Sequence, residues 1–342
     1  MRGLVAFLLL SVLVHASLLV LLPGDGSWVE AVYAARIYPA IGPVIAFIPA
    51  RLPFSVALTL LIASVLWIPA WLLLHTVRVR RGRLTLWQAT GRTLSVLAIA
   101  GAIGFHTFYL FWGYNYLRPP LEQRLGLEGA DFSAARRSEM ARWIVSEAVT
   151  RRVSVPEWDR DELNVLIDAA IDKAVRDLEG RGPPVVSPLK GDGSTRLLAL
   201  QGNRGVISPF TLEAHVDFRL PAFALPFVAA HEKAHLAGFA RERDASFVAW
   251  YALTQSDDPR LRYAGYFGVV NYFLNSETRG MAQSLQADFA AMRAYRDETV
   301  SAPLQRRSQQ VYGVYLRANR MEAGLGDYFQ VAELIQAWLQ KS

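Results

Sequence analysis

Three apolar stretches, each about twenty residues long and free of charge, occupy much of the first third of this 342-residue chain. They run from Gly3 to Leu22, from Phe54 to Leu74 and from Thr93 to Trp112. A helix needs about 20 apolar residues to cross the hydrocarbon core of a bilayer. Buried helices of soluble proteins rarely run so far without a charge. The sequence therefore predicts an α-helical membrane anchor, residues 1–113, with three transmembrane helices at about 3–22, 54–74 and 93–112.

The first stretch has an alternative reading. Met1 and Arg2 followed by an apolar run are also typical of a cleaved signal peptide. The full length of the run and the lack of a convincing small-residue cleavage site favour an uncleaved anchor. Cleavage would leave the rest of the predicted topology unchanged.

Arginines in the connecting loops predict the orientation. The segment from His75 to Arg92 contains five arginines, whereas the loop from Pro23 to Pro53 contains two. Loops rich in Lys and Arg stay in the cytoplasm. The prediction is a multi-pass protein of the bacterial plasma (inner) membrane, with residues 114–342 on the periplasmic or extracellular side.

Composition excludes some partners and some chemistry. The net charge is +6, from 36 basic and 30 acidic residues, and basic residues beside a lipid bilayer account for much of it. No basic stripe is interleaved with aromatic residues, so no nucleic-acid partner is predicted. The chain contains no cysteine, so any metal must be bound by His and carboxylate side chains. The oligomeric state is left open.

The exported part begins with helical patterns. Apolar residues recur at helical spacing from Asp131 to Arg151 and again from Asp159 or Asp161 to Leu178. Within the anchor, the proline-rich segment from Tyr38 to Pro53 is either an interfacial or re-entrant piece or a loop that follows the membrane.

The pattern then changes to strands. Arg196 to Leu200 resembles a strand, and Thr211 to Phe218 alternates apolar and polar residues like a half-exposed strand. The second strand either offers an edge to an extended peptide or is an ordinary sheet strand. From Arg241 to Gln340 nearly all of the chain reads as helix. These patterns predict a mainly α, α+β domain with a small sheet.

A metal-binding motif follows the predicted strands. His231-Glu232-Lys233-Ala234-His235 is H-E-x-x-H, and residues four apart share one face of a helix. Two neutral imidazoles on that face suit Zn²⁺, which keeps an open position for water when three protein side chains bind it. Glu232 is then the predicted general base beside that water.

The third ligand must come from outside the motif. Metzincins place it three residues after the glycine that follows the motif, but that slot here is Arg241, which cannot ligate zinc. In gluzincins the third ligand is a Glu, with an Ala three residues later and an Asp or Asn four residues later. Glu242 resembles that frame, with Ser246 in place of the Asp or Asn, and is preferred over Asp244.

Other candidates are less distinctive. A hydrogen-bond donor to a transition-state oxyanion could come from a predicted helix downstream of the motif. A packed aromatic face explains the tyrosines of that helix equally well. His215 lies on the second predicted strand and is interpreted as a surface residue rather than a ligand. The candidate oxyanion donors are Arg262, Tyr263, Tyr266 and Tyr272. The remaining histidines, His15, His75 and His106, lie within the apolar stretches or at the end of one.

Several blocks of sequence resemble the bacterial membrane-protein family known as domain of unknown function 3810. The blocks are Ile207 to Ala214, Leu225 to Phe227, His231 to His235, Gly238 to Glu242, Ala245, Ser256 to Pro259, Tyr263, Gly265 and Tyr266. The chain differs from the family pattern in having Asp244 where Glu is expected and Ser246 where Asn is expected. The resemblance implies a gluzincin-type, zincin-like zinc peptidase domain, but no particular substrate.

Two functions from different classes fit the sequence. The first is a membrane-anchored zinc metallopeptidase that hydrolyses envelope proteins or peptides, with His231, His235 and Glu242 on Zn²⁺ and Glu232 as general base. The second is a non-catalytic envelope scaffold or binding protein that keeps the zincin fold. A purely structural site has no need of a base beside an open coordination position, so Glu232 favours the first.

Overall fold

The computed structural model describes residues 2–21, 25–191, 193–318 and 330–341. This part of the chain is mostly helical and contains one three-stranded sheet. The helices are α1 (Arg2–Leu21), α2 (Tyr38–Ala46), α3 (Val56–Arg80), α4 (Leu86–Phe111), α5 (Leu121–Arg124), α6 (Ala134–Thr150), α7 (Arg160–Glu179), α8 (Gly193–Leu200), α9 (Leu225–Leu236), α10 (Glu242–Thr254), α11 (Pro259–Val270), α12 (Gln286–Thr299), α13 (Ala302–Ala318) and α14 (Val331–Lys341). The strands are β1 (Leu189–Lys190), β2 (Gly205–Ser208) and β3 (Glu213–Val216). A π-helix spans Val29–Ile37, and short 3₁₀ helices span Pro49–Arg51, Gly113–Leu117, Asn271–Phe273 and Met281–Leu285.

Two helices of the described chain are long and apolar enough to cross a membrane, whereas the sequence predicts three. They are α3 and α4, with mean hydropathies of 2.3 and 1.8 over their most apolar windows. Almost none of either window is buried inside the protein (0% and 6%), so their side chains are available to lipid. Two of the three predicted spans are thus found, and in the first apolar stretch the structure has a shorter apolar helix, Gly3–Leu19, that is not counted with them. By length and composition, α3 and α4 indicate association with a membrane.

The first helix packs along α4 through polar side chains. The Nδ1 atoms of His15 and His106 lie 2.9 Å apart, and their rings are stacked. His15 Nε2 lies 2.8 Å from the hydroxyl of Tyr114, and His106 Nε2 lies 3.0 Å from Oγ of Ser11. These hydrogen bonds fix the register of α1 on α4.

The proline-rich segment from Tyr38 to Pro53 is mostly helical rather than a loop, and it packs against the later part of the chain. The hydroxyl of Tyr38, at the start of α2, is buried and donates to the carbonyl of Leu236 at a distance of 2.8 Å. Gly42 lies so close to Val185 that an added Cβ would come within 2.6 Å of its side chain. One hydrophobic cluster thus joins residues on both sides of residue 113.

The sheet has the order β1-β3-β2, with β1 parallel and β2 antiparallel to β3. β3 is therefore the central strand of the described sheet and cannot offer a free edge, and all four of its residues are buried rather than half-exposed. The predicted strand from Arg196 to Leu200 is wrong because those residues form part of α8. Short apolar runs do not distinguish a strand from a helix by periodicity.

The central strand is tied to the beginning of α3. The buried carboxylate of Glu213 accepts hydrogen bonds from the backbone N–H groups of Val56 and Ala57, at 2.9 and 2.8 Å. Lys190, on β1, lies 2.5 Å from the same carboxylate. His215 is also buried, with Nε2 at 2.8 Å from Oγ of Ser55, the residue that caps α3. The prediction of a surface His215 is wrong, because α3 begins against this face of the sheet.

The helices predicted on the amino side of the sheet are confirmed. Ser133 caps α6 and Asp159 caps α7, where the Asp159 carboxylate accepts from the N–H groups of Asp161 and Glu162 at 3.0 Å. Gly180 ends α7 at a positive φ of 68°. The main hydrophobic core lies where α6, α7, α9, α10 and α11 pack together, and α9 also packs against β3.

Candidate metal centre

The H-E-x-x-H motif lies on α9, as the spacing predicts. Pro226 occupies the first turn of this helix, where its missing N–H costs nothing. Gly238 follows the helix with a φ of 95°, a conformation that favours glycine. The chain then reverses, and α10 begins at Glu242 and packs along α9. This reversal brings a carboxylate in the first turn of α10 opposite the two histidines.

Three side chains converge on one point. His231 Nε2 lies 3.1 Å from Oε2 of Glu242 and 3.1 Å from Nε2 of His235. The distance from His235 Nε2 to the same carboxylate oxygen is 3.6 Å. One ligand atom from each residue lies within 4.8 Å of the others. The structure thus brings together the three residues that the sequence predicts as a ligand set.

The outer nitrogens of both imidazoles have hydrogen-bond partners. His231 Nδ1 lies 3.2 Å from Oγ of Ser246, and His235 Nδ1 lies 2.8 Å from the carbonyl oxygen of Phe239. A carbonyl can only accept, so it fixes the proton on Nδ1 of His235 and leaves Nε2 free to bind a metal. Trp112 donates from its indole to the carbonyl of His235 at 3.0 Å, which holds the end of α9 from the other side.

Glu242 and Asp244, the two candidates for the third ligand, have different surroundings. Asp244 lies beside Arg243, 3.4 Å from its Nε, and it is not part of the group formed by the two histidines and Glu242. Burial raises the pKa of Asp244 to about 6, although Arg243, Arg124 and Arg241 act in the opposite direction. Of the two, Glu242 is the carboxylate positioned for a shared cation.

Glu232 is buried beside the cluster. The backbone of Gly205, at the start of β2, lies so close that an added Cβ would be 2.5 Å from Oε1 of Glu232. Burial is the main reason that the pKa of Glu232 rises to about 8, and the negative charge of Glu242 adds to it. No bulkier residue fits at position 205 without moving this carboxylate.

The cluster residues influence each other's protonation. Burial lowers the pKa of His235, but the charges of Glu242 and Glu232 outweigh it and raise the pKa to about 9. Burial lowers the pKa of His231. Burial opposes ionisation of Glu242, but the two imidazoles hold its pKa well below the ordinary value. A cation among these groups would favour neutral imidazoles instead, because a metal binds only the deprotonated nitrogen.

A cavity of about 520 Å³ opens beside the cluster. His231, Glu232 and Ser246 form part of its wall, and α9, α11, α12 and α13 supply most of the remainder together with the loop before β2. The volume lies within the usual range of about 300–1,000 Å³ for small-ligand sites. His231, one of the three clustered residues, and Glu232 therefore border a space large enough for a small ligand.

Most of the predicted oxyanion donors are engaged elsewhere. The hydroxyl of Tyr263 donates to Asp288 at 2.6 Å, Tyr266 packs edge-on against Trp143, and Arg262 donates to the carbonyl of Ser256 at 3.0 Å. Tyr272 lines the cavity. Arg204 also lines it and is missed by the sequence reasoning, because a lone arginine in a loop carries no recognisable spacing.

Taken together, the fold and site define a mostly helical protein with two helices apolar enough to span a membrane and a buried His-His-Glu cluster beside a cavity. The chain belongs to the family described as "Protein of unknown function (DUF3810)", whose model matches residues 33–336. No curated protein and no solved structure matches the chain. Membership in this family does not specify an activity, so a function must be argued from the site.

Proposed function

We propose that this protein is a membrane-anchored zinc metallopeptidase that hydrolyses proteins or peptides of the bacterial envelope. His231, His235 and Glu242 hold the zinc, and Glu232 is the general base. The observation that carries the proposal is the convergence of three ligand atoms within 4.8 Å, next to a second buried carboxylate, Glu232, and to a cavity that His231 and Glu232 line. The chain fold around the cluster is proposed to be zincin-like.

The donor set suits zinc. Two imidazoles and one carboxylate form a familiar catalytic zinc set that leaves a fourth position open. Bound zinc supplies a Lewis acid that polarises a peptide carbonyl and acidifies water. The hydrogen bonds from His235 to Phe239 and from His231 to Ser246 orient the rings so that both Nε2 atoms face the same point.

Glu232 performs the proton transfers in this proposal. Its carboxylate takes a proton from the attacking water and later delivers it to the leaving amine. Burial favours the protonated form of Glu232, which helps it to hold the proton between the two steps. The cation bound beside it favours the ionised form that the first step needs.

Strand β2 offers a place for an extended peptide. It is the outer strand next to β3 in the described sheet, and its first residue, Gly205, lies against Glu232. A peptide that pairs with a strand edge gains backbone hydrogen bonds regardless of its sequence. In this proposal the substrate pairs with the edge of β2. It does not pair with the predicted strand from Thr211 to Phe218, because that segment contains β3, the central strand.

The membrane part sets the location in this proposal. Helices α3 and α4 cross the plasma membrane and the arginine-rich turn between them faces the cytoplasm, which puts the metal centre on the periplasmic or extracellular side. Support comes from the apolar, solvent-accessible surfaces of both helices and from Arg78, Arg80, Arg81 and Arg83 at their junction.

A Glu232→Gln substitution in the full chain, purified in detergent, tests the proposal. We expect the variant to keep about one zinc per chain and to lose at least about a hundredfold in hydrolysis of a casein-derived peptide mixture, as expected for removal of a general base. An Asp244→Asn variant is the matched control, because its carboxylate lies outside the cluster, and it should retain both zinc and hydrolysis. Equal hydrolysis by wild type and Glu232→Gln would contradict the enzyme assignment.

A second candidate is a non-catalytic envelope scaffold that retains the metal site. Ser246 favours it, because a hydroxyl 3.2 Å from His231 is a weaker brace than the Asp or Asn of typical gluzincins. A scaffold predicts that Glu232→Gln fully complements a deletion strain, whereas the peptidase predicts that it does not.

A further inference from the structure

One side of the cavity beside the metal ligands is apolar. Ala224, the residue before α9, lines the cavity together with Phe227, Val228 and His231 of α9, at the spacing i, i+3, i+4 and i+7 of a single helix face. The apolar side chains therefore lie within two turns of the first metal ligand. Phe227 lies one turn before His231, which corresponds to roughly 6 Å along the helix axis.

Helix α11 and helix α12 complete this apolar side. Phe267 and Gly268 of α11 and Met292 of α12 line the same cavity. Gly268 allows the ring of Phe227 to lie directly on the α11 backbone, since a Cβ built at Gly268 would be 2.2 Å from Cγ of Phe227. The absent side chain at position 268 thus lets the Phe227 ring lie back against α11, which widens the apolar side of the cavity.

The polar side of the cavity consists mainly of neutral groups. Among the described lining residues Glu232 is the only carboxylate and Arg204 the only permanent cation. The other polar residues are mostly amides, which can donate to and accept from peptide backbone. These are Gln201, Asn203, Asn271, Gln305 and Gln309. Apart from Glu232, no described lining residue could pair with a basic substrate side chain.

We propose that this apolar side is a specificity pocket for one bulky apolar side chain of an extended peptide substrate. The inference rests on the proposed peptidase function. An extended chain rises about 3.3 Å per residue, and Phe227 lies roughly 6 Å along the axis of α9 from His231, so the pocket would receive a side chain within two residues of the scissile bond. Phe227 and Gly268 determine how large that side chain can be.

The test uses the zinc-loaded full chain in detergent and two series of internally quenched peptides. Each series varies one position, before or after the cleaved bond, through Ala, Leu, Phe, Trp, Lys and Glu. We expect kcat/KM for Leu or Phe to exceed that for Ala by at least about tenfold at one of these positions, and Lys and Glu to be rejected. Gly268→Ala should lower kcat/KM for Phe by about tenfold and leave the Ala peptide nearly unchanged, because the added methyl displaces the Phe227 ring into the pocket.

A second variant changes the pocket in the opposite direction. Phe227→Ala enlarges it and should raise the ratio of kcat/KM for Trp over Leu by about tenfold. A shift toward larger side chains cannot result from misfolding, which only lowers activity. Gly280→Ala is the control for an added methyl, because nothing lies within 4 Å of that position, and its preferences should equal those of wild type.

A binding measurement separates this inference from the peptidase proposal. Zinc-loaded Glu232→Gln is titrated with the same peptides carrying a fluorophore. Binding that follows the apolar preference and its dependence on Gly268, without cleavage by wild type, would refute the peptidase but keep the pocket. Cleavage without an apolar preference, or with one that neither variant changes, would refute the pocket alone. Neither cleavage nor binding would refute both.

Discussion

The Oγ atom of Ser246 lies 3.2 Å from Nδ1 of His231, one turn along α10 from Glu242. A single helix thus supplies a carboxylate that faces the inner nitrogen of His231 and a hydroxyl that faces its outer nitrogen. A hydroxyl accepts the Nδ1 proton without adding negative charge, so it orients the ring but raises the basicity of the histidine less than a carboxylate would. The proposed metal site therefore depends on the spacing of residues in α10 as well as on the motif in α9.

We predict that Ser246→Ala weakens zinc binding by about 10–100-fold, the usual effect of removing a group that orients a ligand histidine. Competition with a chromophoric chelator measures the change. Ser246→Asn, which restores a hydrogen-bonding oxygen, should recover at least part of the loss. Unchanged affinity in Ser246→Ala would show that the hydroxyl does not orient His231.

The close approach of Gly205 to Glu232 gives a second prediction. Gly205→Ala should lower kcat about tenfold or more, since a misplaced catalytic group loses much of its effect. Zinc content should stay at the wild-type level, because residue 205 contacts Glu232 and not the ligand set. Gly280→Ala again controls for an added methyl. Loss of zinc together with activity would indicate that β2 supports the ligands rather than the base.

A third prediction concerns the stability of the helical domain in acid. Burial raises the pKa of Glu179, but Arg118, Arg124 and Arg181 outweigh this effect and lower it to about 2, from an ordinary value of 4.5. Because the folded-state pKa is the lower one, the stabilisation is present above pH 4.5 and is lost as the pH falls towards 2. This pKa shift of Glu179 corresponds to a contribution on the order of 3 kcal/mol to the free energy of unfolding.

Glu179→Gln should therefore destabilise the protein at pH 7 and approach wild type near pH 2, as judged by denaturant unfolding. It leaves three arginines without their shared carboxylate, and the side chains of two of these, Arg118 and Arg124, are only 3% and 10% exposed. Glu277→Gln, which removes a carboxylate from an exposed pair with Arg142, should have little effect at either pH. A Glu179→Gln deficit that is equal at both pH values would contradict the assigned pKa.

A fourth prediction tests the link between the sheet and α3. Glu213→Gln should cost about 3–5 kcal/mol of unfolding free energy, since it leaves Lys190 buried without its counter-charge. The double variant Glu213→Gln and Lys190→Met should lose less than the sum of the two single losses. Additive losses would mean that the pair does not interact, and thermal unfolding of the four proteins in detergent distinguishes the cases.

The sequence was most informative where a motif has a strict geometric meaning. The i, i+4 spacing of His231 and His235 requires one helix face, and the structure has that face. The sequence separates Glu242 from Asp244 only by the residue types of the gluzincin pattern, whereas the structure separates them by where α10 points each carboxylate. The start of α7 depends on local chemistry too, and of the two residues that the sequence leaves open, Asp159 and Asp161, the structure has Asp159 as the cap.

Features that depend on distant parts of the chain were not predictable from the sequence. His215 looked like a surface residue because nothing in its neighbourhood reveals that α3 begins against it. Residues 196–200 belong to α8 and not to the predicted strand. Strand β3 is central because it pairs with β1, a strand that lies before the alternating residues in the sequence. The packing of Tyr38 under α9 joins residues about 200 positions apart, which no local pattern can encode.

The most direct test of the account is the zinc content of the full chain, measured by elemental analysis for wild type, Glu242→Gln and Glu232→Gln. The account predicts about one zinc per chain in wild type and in Glu232→Gln, and a loss of zinc in Glu242→Gln. The last two variants make the same chemical change ten residues apart, so a difference between them reflects position in the site. Wild-type protein that holds no zinc after purification without chelator and reloading with zinc would contradict the account.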